Sequence, residues 1–361
     1  MSKIPALNIP INNLSFGNVS IGILREFFNR GIIPNTFLIG PNIDISSQKP
    51  DNNFNQSLQV SLNQAQEKHN RNDEVIKLWH INGAMESVSN KSNKLVTFFE
   101  LDSLTPTELN ILRNQQKVYV TSTYTRNIFA MFGINAEYLP LGFDSHNFNI
   151  LEKRPLIDGV TTFCLGGKLE KRKGHFKILN LWAKKYGNNM KYRLNCALTN
   201  PFMKPEHVNA LISQALEGKT YANINWLPFM NLNAEYNQFL QSGQIYIAMS
   251  GGEGKGLPEY HAAALGAWPV ALRAHAYLDY FNDDNAVMVN PNSKIPASDG
   301  VFFSPNGPFN VGNIFDFSGD EFIAGCEQAE KRAAEGPNIK GYELQKLTYK
   351  DTVDILLKDL V

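Results

Sequence analysis

The run from Ile245 to Val270 restricts the fold of this chain more than any other stretch. Four apolar residues, Ile245-Tyr246-Ile247-Ala248, lead into a segment in which Gly251, Gly252, Gly254 and Gly256 alternate with Glu253 and Lys255. Leu257-Pro258 then opens a helical pattern, and Trp268-Pro269-Val270 starts another apolar stretch. A short apolar run bounded by glycines reads as a buried parallel strand, and glycines let the backbone turn tightly and approach a ligand without a Cβ in the way. Pro258 suits the first turn of a helix. Free N–H groups at a helix N-terminus form an anion site, yet Glu253 places inside it a carboxylate that phosphate would repel. The combination suits a ligand with a phosphate end and a hydroxyl-rich end. Glu253 is equally placed to cap the helix that follows.

Strand–helix alternation extends in both directions from this run. In the first half, strands are expected at Pro5–Ile9, Phe37–Ile39, Val75–His80, Lys94–Phe99, Val118–Val120 and from Ala136. A loop over Asn12–Ser20 precedes a helix carrying Ile21, Leu24, Phe27 and Phe28. A second helical pattern runs from Leu58 to His69; Thr105 and Glu108 form a capping box, and Ser122 caps another helix. In the second half, strands at 161–166, 192–196, 224–227 and 245–248 are separated by helices near 174–186, 205–217 and 233–241. A last helix is expected over about 342–360. Such alternation predicts parallel, doubly wound sheets with ligands at the C-terminal strand ends. At 361 residues the chain accommodates two such domains. The expected division is 1–150, 151–341 and a C-terminal helix, 342–361, that packs on the domains or bridges them.

Composition narrows the class. With 43% hydrophobic and 19% charged residues, and 34 basic against 34 acidic side chains, the chain reads as globular, without a global field toward nucleic acid or an anionic membrane. No apolar run is long enough to span a bilayer, and Met-Ser-Lys-Ile-Pro lacks a signal-peptide core. Cys164, Cys196 and Cys326 are odd in number and widely spaced, as expected of reduced thiols in a cytoplasmic protein. The densest basic cluster, Lys168 to Lys177, is either a solvated helix face or an anion site. Lys168 and Lys173 lie five residues apart across a turn, so both can reach one diphosphate.

Gly167-Lys168-Leu169, Lys173-Gly174 and Gly252-Glu253-Gly254-Lys255-Gly256-Leu257-Pro258 together resemble the second domain of retaining GT-B glycosyltransferases that use nucleotide sugars. Tyr138-Leu139-Pro140-Leu141-Gly142-Phe143-Asp144 with Phe148 is similar to the segment before that family's interdomain linker, and Leu14-Ser15-Phe16-Gly17 to its first glycine loop. Leu78–Gly83, Thr97–Asp102 and Ala274–Tyr277 resemble glycosyltransferases encoded by tailed phages. The resemblance implies an α/β GT-B fold, with two Rossmann-like domains facing across a cleft. It implies that Lys168 and Lys173 neutralise the donor diphosphate and that Glu253, the first carboxylate of a paired-glutamate motif, holds hydroxyls of the transferred sugar. It further implies that Gly254, Lys255, Gly256 and Leu257 offer backbone N–H groups, and that Gly17 lets the first loop close on the diphosphate. Eight residues past Glu253 stands His261, where the family has a ribose-binding glutamate; Glu259 should face another side of the helix. Glu100 and Asp102 occupy the neighbourhood of the family's active-site histidine, and His80 is an alternative source of the imidazole.

No metal site is expected, because no Asp-x-Asp pair or ligand-spaced cluster occurs. The donor is expected to be a nucleoside diphosphate sugar, UDP-sugar first, with no other cofactor, and the protein a monomer or weak dimer. For the acceptor, a hydroxymethylated base in double-stranded DNA stands ahead of a glycan or a protein. Asp102, Arg273 and His275 are the candidate acceptor contacts, and Lys91, Lys94, Arg113 and Lys117 the candidate basic rim. A nucleotide-sugar epimerase, or a binding protein without turnover, remains the alternative.

Overall fold

The computed structural model describes residues 4–299 and 302–358. In the first half, β1 (Ala6–Ile9), α1 (Ser15–Asn29), β2 (Asn35–Leu38), α2 (Asn52–Lys68), β3 (Val75–Leu78), β4 (Lys94–Thr97), α3 (Pro106–Arg113), β5 (Lys117–Val120), α4 (Thr123–Met131) and β6 (Ala136–Tyr138) follow in order. The six strands form one parallel sheet in the order β2-β1-β3-β4-β5-β6. Strands buried on both faces are mostly apolar, so they read as short hydrophobic runs even with single polar residues such as Asn8, Lys77 and Lys94 in them. One face packs on α1 and α2 through Leu7, Ile9, Val19, Leu24, Phe27 and Phe54. The other packs through Leu95, Phe99, Ile111, Leu112, Val120 and Phe129. The Thr105–Glu108 capping box forms as expected, and the Ser122 hydroxyl accepts from the Thr125 amide. The expected loop over 12–20 is shorter than the sequence suggested. α1 already begins at Ser15, after Leu14, whose side chain caps nothing.

The second half comprises β7 (Thr161–Lys168), α5 (His175–Tyr186), β8 (Tyr192–Thr199), α6 (Pro205–Ala215), β9 (Ile224–Trp226), α7 (Asn233–Gln241), β10 (Ile245–Ala248), α8 (Leu257–Ala264), β11 (Trp268–Leu272) and β12 (Val287–Val289). Its six strands are parallel in the order β12-β11-β10-β7-β8-β9. The order reverses between β7 and β10, which is where ligands of doubly wound sheets bind. β13 (Pro291–Pro296) and β14 (Asn313–Phe317) then pair antiparallel, and α9 (Gly319–Glu335) returns along the sheet. Ala297, Phe303 and Ile314, from the hairpin and its tip, enter the core of the first half. The expected final helix is broken: a 3₁₀ turn over Gly341–Lys346 contacts α8, and only Tyr349–Lys358 is α-helical (α10). α10 lies on α1, burying Val353 and Leu356 in the first-half core, so the last helix packs on the half that holds β1 and α1. Leu360, expected on this helix, lies outside the described residues.

Candidate active site

The glycine loop 251–256 is held from both sides. Gly251 donates its N–H to the Arg172 carbonyl (2.8 Å), and its own carbonyl accepts from the Phe315 amide (2.8 Å). A Cβ on Gly252 would lie 2.4 Å from the Glu100 carbonyl oxygen, and one on Gly254 2.8 Å from the Phe98 Cβ. The Thr121 hydroxyl donates to the Gly254 carbonyl (2.7 Å). These two glycines therefore serve the contact between the halves as the chain stands, while Gly256, at φ +77°, makes the left-handed turn into α8. Glu253 does not cap that helix; the cap position is Gly256. Leu257 packs its side chain against the first-half core.

Beneath this loop lies a buried ion cluster. Glu253, 5% exposed, forms ion pairs through Oε1 with Arg172 Nη1 at 2.9 Å and Lys173 Nζ at 2.6 Å. Arg172 also reaches Glu170 (3.0 Å) and, across the cleft, Glu100 (3.3 Å), and it donates to the Gly252 carbonyl. Lys173 reaches Glu259 at 3.4 Å, and Lys168 pairs with Glu170 at 2.9 Å from a partly exposed position at the mouth. Four carboxylates thus face three cations. Burial opposes ionisation of them all, but Arg172 and Lys173 overcome it at Glu253, whose pKa is lowered. Burial dominates at Glu100 and at Glu259, whose pKa values are raised, with the Glu253 charge adding to the effect. Burial alone would lower Arg172, but the surrounding carboxylates raise it well above its usual value, so the cation is permanent.

The sequence places Arg172 in the Lys168–Lys177 cluster, among the polar residues beyond a strand end, but gives it no role. Arg172 sits in a run of basic residues that look alike, and only the turn over Lys171–Lys173 decides which points inward: Arg172 is 5% exposed while Lys171 is exposed. Glu259, expected on another side of α8 from His261, does face away from it and joins Lys173 instead. His261 is buried. Its Nδ1 donates to the Leu257 carbonyl (2.7 Å), its ring sits 4.4 Å from that of Phe148 and 5.3 Å from Phe143, and its buried Nε2 has no hydrogen-bond partner among the described residues.

His80 and Glu100 stand at the ends of β3 and β4 on the opposite wall. The His80 ring is exposed to the cleft and packs on Phe16 (4.4 Å). The surrounding protein, with the Lys168 charge facing it, pushes the imidazole down to about 4, so it is neutral near pH 7. Gly17 lies in the first turn of α1. A Cβ there would meet the Asn12 carbonyl at 2.1 Å, so this glycine accommodates the chain's own fold-back rather than an open loop. The Lys255 backbone is part of the glycine loop, but its side chain turns away from the ion cluster to lie over the Tyr260 and Tyr280 rings.

The candidate acceptor contacts are occupied otherwise. Asp102 accepts from Lys294 (2.9 Å) and the Asn313 amide (2.8 Å), pinning the β13–β14 hairpin to the first half. Arg273 pairs with Asp283 at 2.5 Å and makes no contact with the ion cluster. His275 is buried at φ +43° and donates through Nε2 to the Ser250 carbonyl (2.7 Å), bracing the glycine loop from below. Burial pushes it down to about 4. In the expected basic rim, Lys91 and Lys94 pair with Glu74 and Lys117 with Glu137.

Two doubly wound parallel sheets, meeting at their C-terminal strand ends over a glycine loop and an ion cluster at the β7/β10 reversal, make the fold GT-B. The chain matches no protein-family model and no curated protein sequence. Among solved structures it is similar to a sucrose-phosphate synthase from Thermosynechococcus elongatus, with TM-score 0.67 and 11% identity over 99% of both chains. A UDP-forming α,α-trehalose-phosphate synthase from Burkholderia xenovorans gives TM-score 0.62 and 13% identity over 100% of this chain and 99% of its own. HepE from Anabaena, solved with UDP-glucose, gives 0.63 and 14% over 99% of both.

Proposed function

We propose that the protein is a glycosyltransferase that moves a sugar from a nucleoside diphosphate sugar, UDP-sugar first, to an acceptor hydroxyl with retention at the anomeric carbon. The observation carrying this reading is the Arg172–Lys173–Glu253 cluster, held under the glycine loop at the β7/β10 reversal and faced by Glu100 and His80. In the transfer, the bond from the anomeric carbon to the diphosphate oxygen breaks and a bond to the acceptor oxygen forms. The acceptor's proton passes to the leaving diphosphate oxygen, on which negative charge grows as the bond breaks. Arg172 and Lys173, with Lys168 at the mouth, neutralise that charge, as fixed cations in a dry site do effectively. Glu253, released from the two cations by the diphosphate, accepts hydrogen bonds from sugar hydroxyls. Neutral His80 and Glu100 lie on the side from which the acceptor enters. Retention rests on the family resemblance.

For the acceptor, the DNA reading rests on the resemblance to phage enzymes, since the lysines that would form its basic rim are paired with carboxylates. The test is to incubate the purified chain with UDP-, GDP- and ADP-sugars, alone and with DNA containing 5-hydroxymethylcytosine, an oligosaccharide or a peptide, and to follow acceptor mass and nucleotide release. Sugar mass added to one acceptor is the expected result. Nucleotide release without labelled DNA removes the DNA acceptor; isomerised donor without acceptor indicates an epimerase; binding without turnover indicates a binding protein.

A further inference from the structure

The glycine loop divides the space between the halves. On one side lies the ion cluster; on the other lies a chamber of about 520 Å³, lined by Lys255, Tyr138, Tyr260, Asp279, Tyr280 and Lys340 among others. The partition is physical: Gly254 abuts Phe98 and is bonded to Thr121, and none of Glu100, Arg172, Lys173 or Glu253 lines the chamber. At its wall Lys255, 4% exposed, holds its ammonium 4.2 Å from the Tyr260 ring centroid and 4.7 Å from that of Tyr280. Both faces are π donors, but among the described residues the ammonium has no carboxylate or carbonyl partner. The nearby acid, Asp279, favours the protonated ammonium through its charge but bonds elsewhere, accepting from the Thr123 amide (2.9 Å) and hydroxyl at the start of α4, and Asp284 also lines the chamber. Of the rim charges, Glu343 is shared between Lys340 (3.8 Å) and Lys346 (3.9 Å).

A buried ammonium without a directly bonded anion is costly, and a ligand anion in contact with it offsets that cost. We infer that the chamber behind the glycine loop is a second binding site, for a small molecule bearing a phosphate or carboxylate group, with Lys255 as its anion contact. The aromatic frame is already filled by the Lys255 ammonium, which excludes a cationic ligand there. Burial pushes the amine down to about 8, so an entering anion finds its counter-charge in a poorly hydrated wall and holds it protonated. This inference does not depend on the glycosyltransferase reading, because it uses the Lys255 side chain, whereas the donor reading uses only that residue's backbone N–H.

The test is trace acetylation of the full chain between pH 7 and 10, read by peptide mass spectrometry at Lys255, with and without inorganic phosphate or citrate. Labelling at Lys255 should rise through about pH 8. At ten times the dissociation constant of the better anion it should fall about tenfold, and the anion acting at the lower concentration identifies the group the site takes. The same protection should persist in Lys173→Met, which removes a cation from the neighbouring cluster. Unchanged labelling with both anions, absence of labelling at any pH, or protection that vanishes in Lys173→Met would each overturn the assignment.

Discussion

At the residue scale, the geometry turns on one carboxylate shared by two cations. Glu253→Gln keeps the shape and removes the charge. It should reduce transfer by at least about 100-fold, the scale on which a positioned polar group acts on a transition state. UDP affinity should be kept or increased, because Arg172 and Lys173 lose a competing anion; initial rates and calorimetric titration separate the two effects. His275 leads to a pH prediction. Its pKa falls from 6.5 to about 4 on folding, so the unfolded chain binds more protons between those values, and stability must drop as pH falls through that window. The contribution is about 3 kcal/mol. Urea denaturation of the wild type between pH 7 and 4 should therefore show a steeper loss than His275→Gln; parallel curves would exclude His275 as a source of the acid sensitivity.

At the element scale, the β13–β14 hairpin decides how the halves are joined. Phe303, 5% exposed, and Ala297 are packed in the first-half core, and Asp102 anchors the hairpin through Lys294 and the Asn313 amide. Phe303→Ala should cost about 3 to 5 kcal/mol, as for other buried aromatic truncations. Chemical denaturation followed by tryptophan fluorescence measures it, and a change below about 1 kcal/mol would mean that the tip is not seated there. The parallel strands except β12 were legible in the sequence because burial on both faces leaves short, mostly apolar runs, and the α3 capping box because its two residues have a fixed spacing. The hairpin was not. Its strands are Pro291–Pro296 and Asn313–Phe317, the first mostly polar, and the contacts that stabilise it lie about 200 residues away in sequence, at Asp102 and Glu108. The start of α1 was hidden for a related reason, since Leu14 carries no capping side chain.

At the scale of the molecule, two similar sheets face each other, and the final helix returns to the first, so the chain closes on itself across the cleft. The sequence placed Glu253, Lys168 and Lys173 at strand ends on one side, and Glu100 and His80 on the other; the structure brings Glu253 and Lys173 together and sets Glu100 against Arg172. It gave no sign that the Arg172 guanidinium turns inward onto Glu253, nor that His261 would be drawn under Phe148 and Phe143, since both depend on packing between segments far apart in the chain. The most direct measurement of the central claim is calorimetric titration of UDP-glucose and the corresponding GDP- and ADP-sugars into the wild-type chain and Arg172→Met. One of these donors should bind the wild type, and its affinity should fall by at least about 100-fold in the variant, as expected when a buried charged contact to a phosphate is lost. Equal affinity in the two proteins, or no binding of any donor to the wild type, would contradict the account.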